Sequence, residues 1–239
     1  MRDAALVTAD APVDRLDAPI AGTCGHTLIE DRLARCLLRR AQGAFQKWPE
    51  GFGGFRASAR CETAAGVIAG RVTVETADRI DVACDDPHVA AALHDMLRAI
   101  VLERTPRFFD EADGRFPICF ADGECQAAGR PIRVQVRSGE LRYWVDTAGR
   151  IRQVERIARG LRTVMCHEEL TRTTPGRLLP TRSTVYTWDV ASGALLGAES
   201  IHDSHRRVDH VWLPAARRIS RPRDDQPRLW LLLEAHQLL

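Results

Sequence analysis

The sequence predicts an α+β fold: a large, strongly curved antiparallel β-meander, forming a half-barrel or partly closed barrel, with two main helices packed on it. Three observations lead there. Two segments repeat apolar residues at helical spacing, Leu33, Leu37, Ala41 and Phe45 in one and Val89, Leu93, Met96, Leu97, Ile100 and Val101 in the other. Most of the remaining chain alternates apolar and polar residues between short turns rich in Gly, Asp and Ser. Two helices cannot cover both faces of so wide a sheet, so one face is wet or the sheet curls toward closure.

Each element has a local reason. Residues 1–26 combine Ala, Asp, Pro and Gly without either period and read as a mobile leader, which leaves 27–239 as a single α+β domain. Thr27 and Glu30 have capping-box spacing, which predicts a helix from there to about Gln46. Trp48-Pro49 and the glycines that follow stop it. Phe55 to Asp85 reads as three antiparallel strands with turns at Gly66, Gly70 and Asp78. Asp86-Pro87 is an N-cap followed by proline at the first helical position, and the second helix runs to about Arg104. Beyond Phe108 the pattern is strand after strand, with Ser138-Gly139 and Ala148-Gly149 as hairpin turns and four more segments between Thr184 and Leu233.

Composition narrows the function classes. A chain of 239 residues with 45% hydrophobic and 28% charged residues is long enough to bury one sizeable core. A formal charge of +2 supplies no long-range field for nucleic acid or an anionic membrane, so no nucleic-acid partner is expected. No apolar run is long enough for a transmembrane segment, and the acidic start is unlike a secretory signal, so the expected location is cytoplasmic. Seven cysteines, an odd number and mostly in apolar stretches, read as reduced thiols.

Several motifs in order, namely Lys47-Trp-Pro-Glu-Gly-Phe-Gly-Gly-Phe-Arg-Ala57, Ile100-Val-Leu-Glu-Arg104 with Phe109-Asp-Glu111, Tyr143 with Gly149-Arg-Ile-Arg-Gln-Val-Glu-Arg156, and Trp212-Leu-Pro214, resemble a family of unknown function common in photosynthetic organisms. The resemblance covers about residues 31–220 and implies no catalytic residues; Glu103 stands where the family pattern leads one to expect a histidine. The meander is also similar to the half-barrel of lipoprotein carriers, whose concave face holds acyl chains.

No phosphate loop, dinucleotide fingerprint or nucleophile elbow occurs, so the sequence names no reaction, no catalytic residue and no cofactor. Three functional readings follow. In the first, a non-catalytic binding or accessory protein holds a lipophilic small molecule in the concave face, lined by Phe55, Trp144, Tyr186, Trp188 and Trp212. The competing reading of those aromatics is plain core. In the second, a metal-dependent enzyme uses His202, His205, His210 and Asp203, because imidazole and carboxylate are metal ligands. Strand geometry opposes it: His202 and Ser204 face one side, Asp203, His205, Arg207 and Asp209 the other, unless a bulge intervenes. In the third, an assembly protein forms a homodimer through an exposed edge at Leu229–Leu233. Arg133, Arg137, Arg142, Arg150, Arg152 and Arg156 form either an anion-binding stripe or a solvated face, and Cys166-His167, Cys119 with Cys125, and Cys24-Gly-His26 lack the spacing of a dyad or a zinc knuckle.

Overall fold

Helix α1 (Arg32–Gly43) begins where Asp31 can accept from the backbone N–H groups of Leu33 and Ala34, at 2.8 and 3.1 Å. The computed structural model describes residues 30–63, 66–121, 129–137, 139–174, 176–221 and 229–239. Asp31, not a Thr27–Glu30 box, therefore caps this helix; Thr27 and the expected leader lie outside the described residues. Glu30 points elsewhere, accepting from Arg35 Nε and from the Ile118 N–H. The helix also ends at Gly43, short of Gln46, because Gln46 N–H is already bonded to the Leu178 carbonyl.

Asp86 caps α2 (Pro87–Arg104) by accepting from His88 and Val89 N–H, with Pro87 in the first turn, as the sequence predicts. Twelve strands accompany the two helices among the described residues. The chain divides into two compact units where the sequence reads as one domain over 27–239.

The first unit contains Lys47–Pro106 and Glu199–Leu239. Its strands are β1 (Phe55–Thr63), β2 (Gly66–Thr76), β3 (Arg79–Cys84), most of β10 (Leu195–Val208), β11 (Val211–Ser220) and β12 (Leu229–Leu238), ordered β3-β2-β1-β12-β11-β10. The ladders are antiparallel. Gly70, expected at a turn, lies inside β2 opposite Cys84, where a Cβ would meet the Ala83 carbonyl oxygen at 2.7 Å. The apolar face of α2, with Leu93, Met96, Leu97 and Val101, packs on Phe55, Val72, Val74, Leu213, Leu231 and Leu233. Burying one such leucine contributes about 2 kcal/mol. β12 pairs with β1 on one side and β11 on the other, so Leu229–Leu233 is an interior strand and not the exposed edge that the assembly reading requires.

The second unit contains residues 30–46 and Arg107–Ala198. It comprises α1, the short 3-10 turns Phe109–Glu111 and Asp113–Arg115, and β4 (Ile118–Phe120), β5 (Arg130–Val134), β6 (Glu140–Val145), β7 (Ile151–Ala158), β8 (Leu161–Arg172) and β9 (Leu178–Asp189), in the order β9-β8-β7-β6-β5-β4. Arg159 and Gly160, at φ +52° and +74°, form the two-residue reversal between β7 and β8. Ala34, Leu38 and Ala41 of α1 pack on Ile118, Ile132, Val134, Val145 and Ile151. Asp113, only 8% exposed, ties this core together by accepting from Gln42 Nε2 and Tyr143 OH, both at 2.6 Å.

The α+β class, the antiparallel meander and the two main helices are thus observed. Replacing Asp86 by Ala is expected to remove the α2 cap and cost about 1 kcal/mol in denaturant unfolding. Leu97→Ala, at a residue 1% exposed, is expected to cost about 2–5 kcal/mol.

Candidate functional site

Ionisable side chains gather in the core of the first unit where the C-terminal turn of α2 meets β10 and β11. Arg217 sits on the inner face of β11, 3% exposed, directly across from Asp203 on β10. Its Nε donates to Asp203 Oδ1 at 2.7 Å and its Nη2 to Asp203 Oδ2 at 2.8 Å and Glu103 Oε2 at 2.9 Å. Burial alone would lower the Arg217 pKa, but Asp203 and Glu103 outweigh it and raise the value. The bond to Glu103 fastens the end of α2 to the sheet.

Arg104, the neighbouring residue on α2, is equally buried at 5% exposed but is not satisfied in the same way. Its Nη2 donates to the Trp212 carbonyl at 3.1 Å, while Nε and Nη1 have no hydrogen-bond partner. Burial brings its pKa down to about 10, against the pull of Glu103 and Asp203, so it stays cationic at neutral pH. The Trp212 carbonyl also accepts from Trp48 Nε1 at 3.0 Å, and Lys47 Nζ donates to the Glu103 carbonyl at 2.5 Å.

Two irregularities shape this region. The β10–β11 register shifts between Ser204 and His205, with Ala216 opposite Ser204 and Pro214 opposite His205. Ile201 and Val208, which a regular strand would put on opposite faces, both pack against the core as a result. On β12, Ala235 takes φ +50° and the pairing to β1 shifts between Arg56 and Ser58, which turns His236 inward beside Phe55, ring centroids 5.7 Å apart. His236 Nε2 lies 2.8 Å from the Pro214 carbonyl, beyond the Ala216–Ile219 stretch where β11 and β12 pair. A carbonyl only accepts, so Nε2 carries the proton; Nδ1 is buried without a partner. The His236 pKa is lowered by burial, opposed by the Pro214 bond. His205 falls to about 4, first through burial and then through the Arg104 and Arg217 guanidinium groups, with Glu103 opposing.

The four residues predicted as metal ligands are not brought together. Asp203 is committed to Arg217, His205 faces two cations, and His202 and His210 are exposed, His210 in the turn between β10 and β11. Among the described residues, no group of three or more His, Cys, Asp or Glu side chains is placed to hold a metal ion. The five predicted ligand-lining aromatics do not share a face either. Phe55 is 1% exposed within the first unit's core, whereas Trp212 alternates with the core residues Val211 and Leu213 and so points away from α2. In the second unit, Tyr143 and Val154 pack toward α1, which puts Trp144, opposite Gln153, on the other face. Tyr186 and Trp188 share that other face and stack on each other at 5.6 Å, with Arg162 over Trp188 and bonded to the buried Glu155.

The predicted arginine row is split between the two faces of the sheet: Arg133 and Arg142 lie opposite each other on the side of Glu155, whereas Arg156, opposite Leu141, lies on the α1 side. Arg142 pairs with Glu140, Arg150 with Asp146, and Arg152 donates to the Glu168 carbonyl. Cys61 is raised to about 11 and Cys166 is raised, both by burial, so neither is an activated thiolate; Cys24 and Cys125 lie outside the described residues. No helix among the described residues is long and apolar enough to cross a membrane.

Sequence reasoning picked out Asp203, His205 and Trp212 but missed Glu103, Arg104 and Arg217. A signal existed: Arg217 falls in step with Val211, Leu213 and Ile219, and Arg104 with Leu93, Leu97 and Val101, so each is a charge on an apolar face.

A curved-sheet α+β protein with an internal ion cluster is the class so defined. The chain belongs to the family described as protein of unknown function DUF3386, whose model matches residues 29–234. No curated protein matches the sequence. Among solved structures, it is similar to an outer membrane lipoprotein-sorting protein domain from Vibrio parahaemolyticus, with 10% identity over 86% of this chain and 92% of that one and a TM-score of 0.35. It is also similar to the MucA/MucB complex of Pseudomonas aeruginosa, with 11% identity over 84% and 93% and a TM-score of 0.26. Likeness at this level carries no inference about function.

Replacing Arg217 by Met leaves Asp203 and Glu103 without their cation and is expected to cost about 3–5 kcal/mol in denaturant unfolding. His205 binds its proton less readily folded than unfolded. Stability is therefore full above the ordinary histidine pKa of 6.5 and declines as pH falls toward about 4, by roughly 1 kcal/mol per pH unit. Unfolding curves across that range check the slope, and a His205→Gln variant is expected to flatten it.

Proposed function

We propose that the protein is a non-catalytic binding protein that holds a small lipophilic molecule on the inner face of the unit built from β1–β3 and β10–β12. The observation that carries this reading is Arg104: a cation 5% exposed, with two nitrogens lacking partners, set beside a core of Trp48, Phe55, Val101 and Leu213. A guanidinium taken out of water and left half bonded lowers stability. The groups that would do acid–base chemistry support binding over reaction. Asp203 is engaged by Arg217, and His205 remains neutral at physiological pH.

The irregularity on β12 favours the same reading: bulges re-aim side chains, and here one turns His236 inward beside Phe55. Protein purified without a histidine tag and extracted with organic solvent is expected to release one lipophilic species in near-stoichiometric amount by mass spectrometry. The emptied protein is expected to take up the neutral dye Nile red saturably. An empty extract together with non-saturable dye uptake would overturn the reading.

A further inference from the structure

We propose that the hairpin tip between β9 and β10 is a membrane anchor, which lodges its aliphatic side chains in the acyl layer of a bilayer while neighbouring arginines meet anionic lipid headgroups. This surface belongs wholly to the second unit and is independent of the ligand proposed for the first.

Composition and exposure coincide there. From Val190 to Ala198 the chain carries no charged residue, and residues 190–196 are exposed without a break. Val190, Leu195 and Leu196 are 50%, 54% and 58% exposed. A single exposed leucine is ordinary, but three large aliphatic side chains within seven successive exposed residues make a patch that gains by leaving water. The tip is held ready in this form. Asp189 Oδ1 accepts from the Ser192 N–H and hydroxyl, both at 2.7 Å, Gly193 turns at φ +68°, and the Val190 N–H donates to the Gly160 carbonyl at 2.8 Å.

The shape of the tip selects the occupant. Leu195 and Leu196 are consecutive at the start of β10, so they point to opposite faces of the ribbon, and both are exposed. A groove on another protein would cover one of those faces and leave the other wet, whereas acyl chains surround both. A second copy of the chain fits no better, since a stable dimer buries about 800 Å² per partner and three side chains do not supply that area.

The surrounding charges fit an anionic surface. The meander brings the β5–β6 and β7–β8 turns to the same end of the sheet, with Arg137 and Arg159 exposed in them. Among the described residues neither has an ion-pair partner. The nearby acids are engaged: Asp189 by Ser192, Glu140 by Arg142 and Glu155 by Arg162. The Arg162 guanidinium also lies 5.1 Å from the Trp188 ring centroid, and this pairing of cation and indole at the base of the tip suits the depth of the headgroups. With a formal net charge of only +2, the molecule is not drawn to a surface from afar, so the aliphatic tip carries most of the binding and the arginines add to it locally.

The test is flotation of the full chain with vesicles of phosphatidylcholine, with and without phosphatidylglycerol, in wild type, in the double variant Leu195→Ser/Leu196→Ser and in Arg159→Ser, each checked by circular dichroism. Wild type is expected to float with the phosphatidylglycerol vesicles, and the double variant to lose at least about tenfold in partitioning. Arg159→Ser is expected to lose about fivefold and to respond less to added salt. Val190→Ser is the variant read if the double variant does not fold. Wild type that stays with the unbound fraction, or a double variant that floats as wild type does, would overturn the anchor. Equal binding to both kinds of vesicle overturns the headgroup contact and leaves insertion standing. A wild-type dimer in sedimentation velocity that becomes monomeric in the double variant, without vesicle binding, assigns the tip to a second copy and overturns the proposal.

Discussion

Arg217 is the constraint on which the first unit depends. A guanidinium buried on the inner face of β11 is tolerable only because carboxylates reach it from two other elements, Asp203 across the ladder on β10 and Glu103 from the last turn of α2. Each bond has a geometric consequence. Asp203 holds the β10–β11 pairing beside its register shift, and Glu103 fixes where α2 ends on the sheet. Arg104 has little freedom once its neighbour is anchored, and its Nη2 reaches the Trp212 carbonyl that Trp48 also uses. The packing of Leu93, Leu97 and Val101 thus sets the helix face, and the ion cluster sets its axial position.

Pairing errors in the sheet create the site instead of weakening it. A regular β10 would send Ile201 and Val208 to opposite faces, and a regular β12 would do the same to Leu229 and Leu238, yet all four pack on one core. The extra residues fall near Ala215 and Ala235, on neighbouring strands, where small side chains accept the distorted backbone; Ala235 is held at φ +50°. Between them the Pro214 carbonyl has no ladder partner on β12 and is served by the His236 ring. Irregular backbone therefore gathers polar side chains exactly where the sheet would otherwise present only aliphatic ones.

Much of the fold was legible because its signals are local. Asp86-Pro87 followed by Val89, Leu93 and Leu97 states a cap, a first turn and an apolar face within a dozen residues, and α2 forms as read. At α1 two adjacent acids competed for the capping role, and tertiary contacts decided: Glu30 is drawn to Arg35 and the Ile118 N–H, which leaves Asp31 to cap. Gly70 looked like a turn because a glycine marks equally a reversal and a close approach of backbones; the crowding against Ala83 and Cys84 is invisible along the chain. The interior place of β12 was unreadable for a related reason. An apolar run such as Leu229–Leu233 states that it is buried, while its neighbours, β1 and β11, are a matter of long-range pairing.

The site was legible in a different sense, as a violation of pattern. The cluster of histidines around the β10–β11 turn drew attention by composition, yet His202 and His210 are exposed and carry nothing there. The quieter signal was one charged residue in step with an apolar face, Arg217 after Val211 and Leu213, and Arg104 after Leu97 and Val101. A charge at such a position forces the fold to supply a partner or to leave a cost standing. For Arg217 the partner is two carboxylates. For Arg104 the chain supplies one carbonyl from Trp212, and the difference between these two neighbouring arginines, equally buried and unequally satisfied, is why the chemistry of this protein is read from Arg104 and not from its histidines.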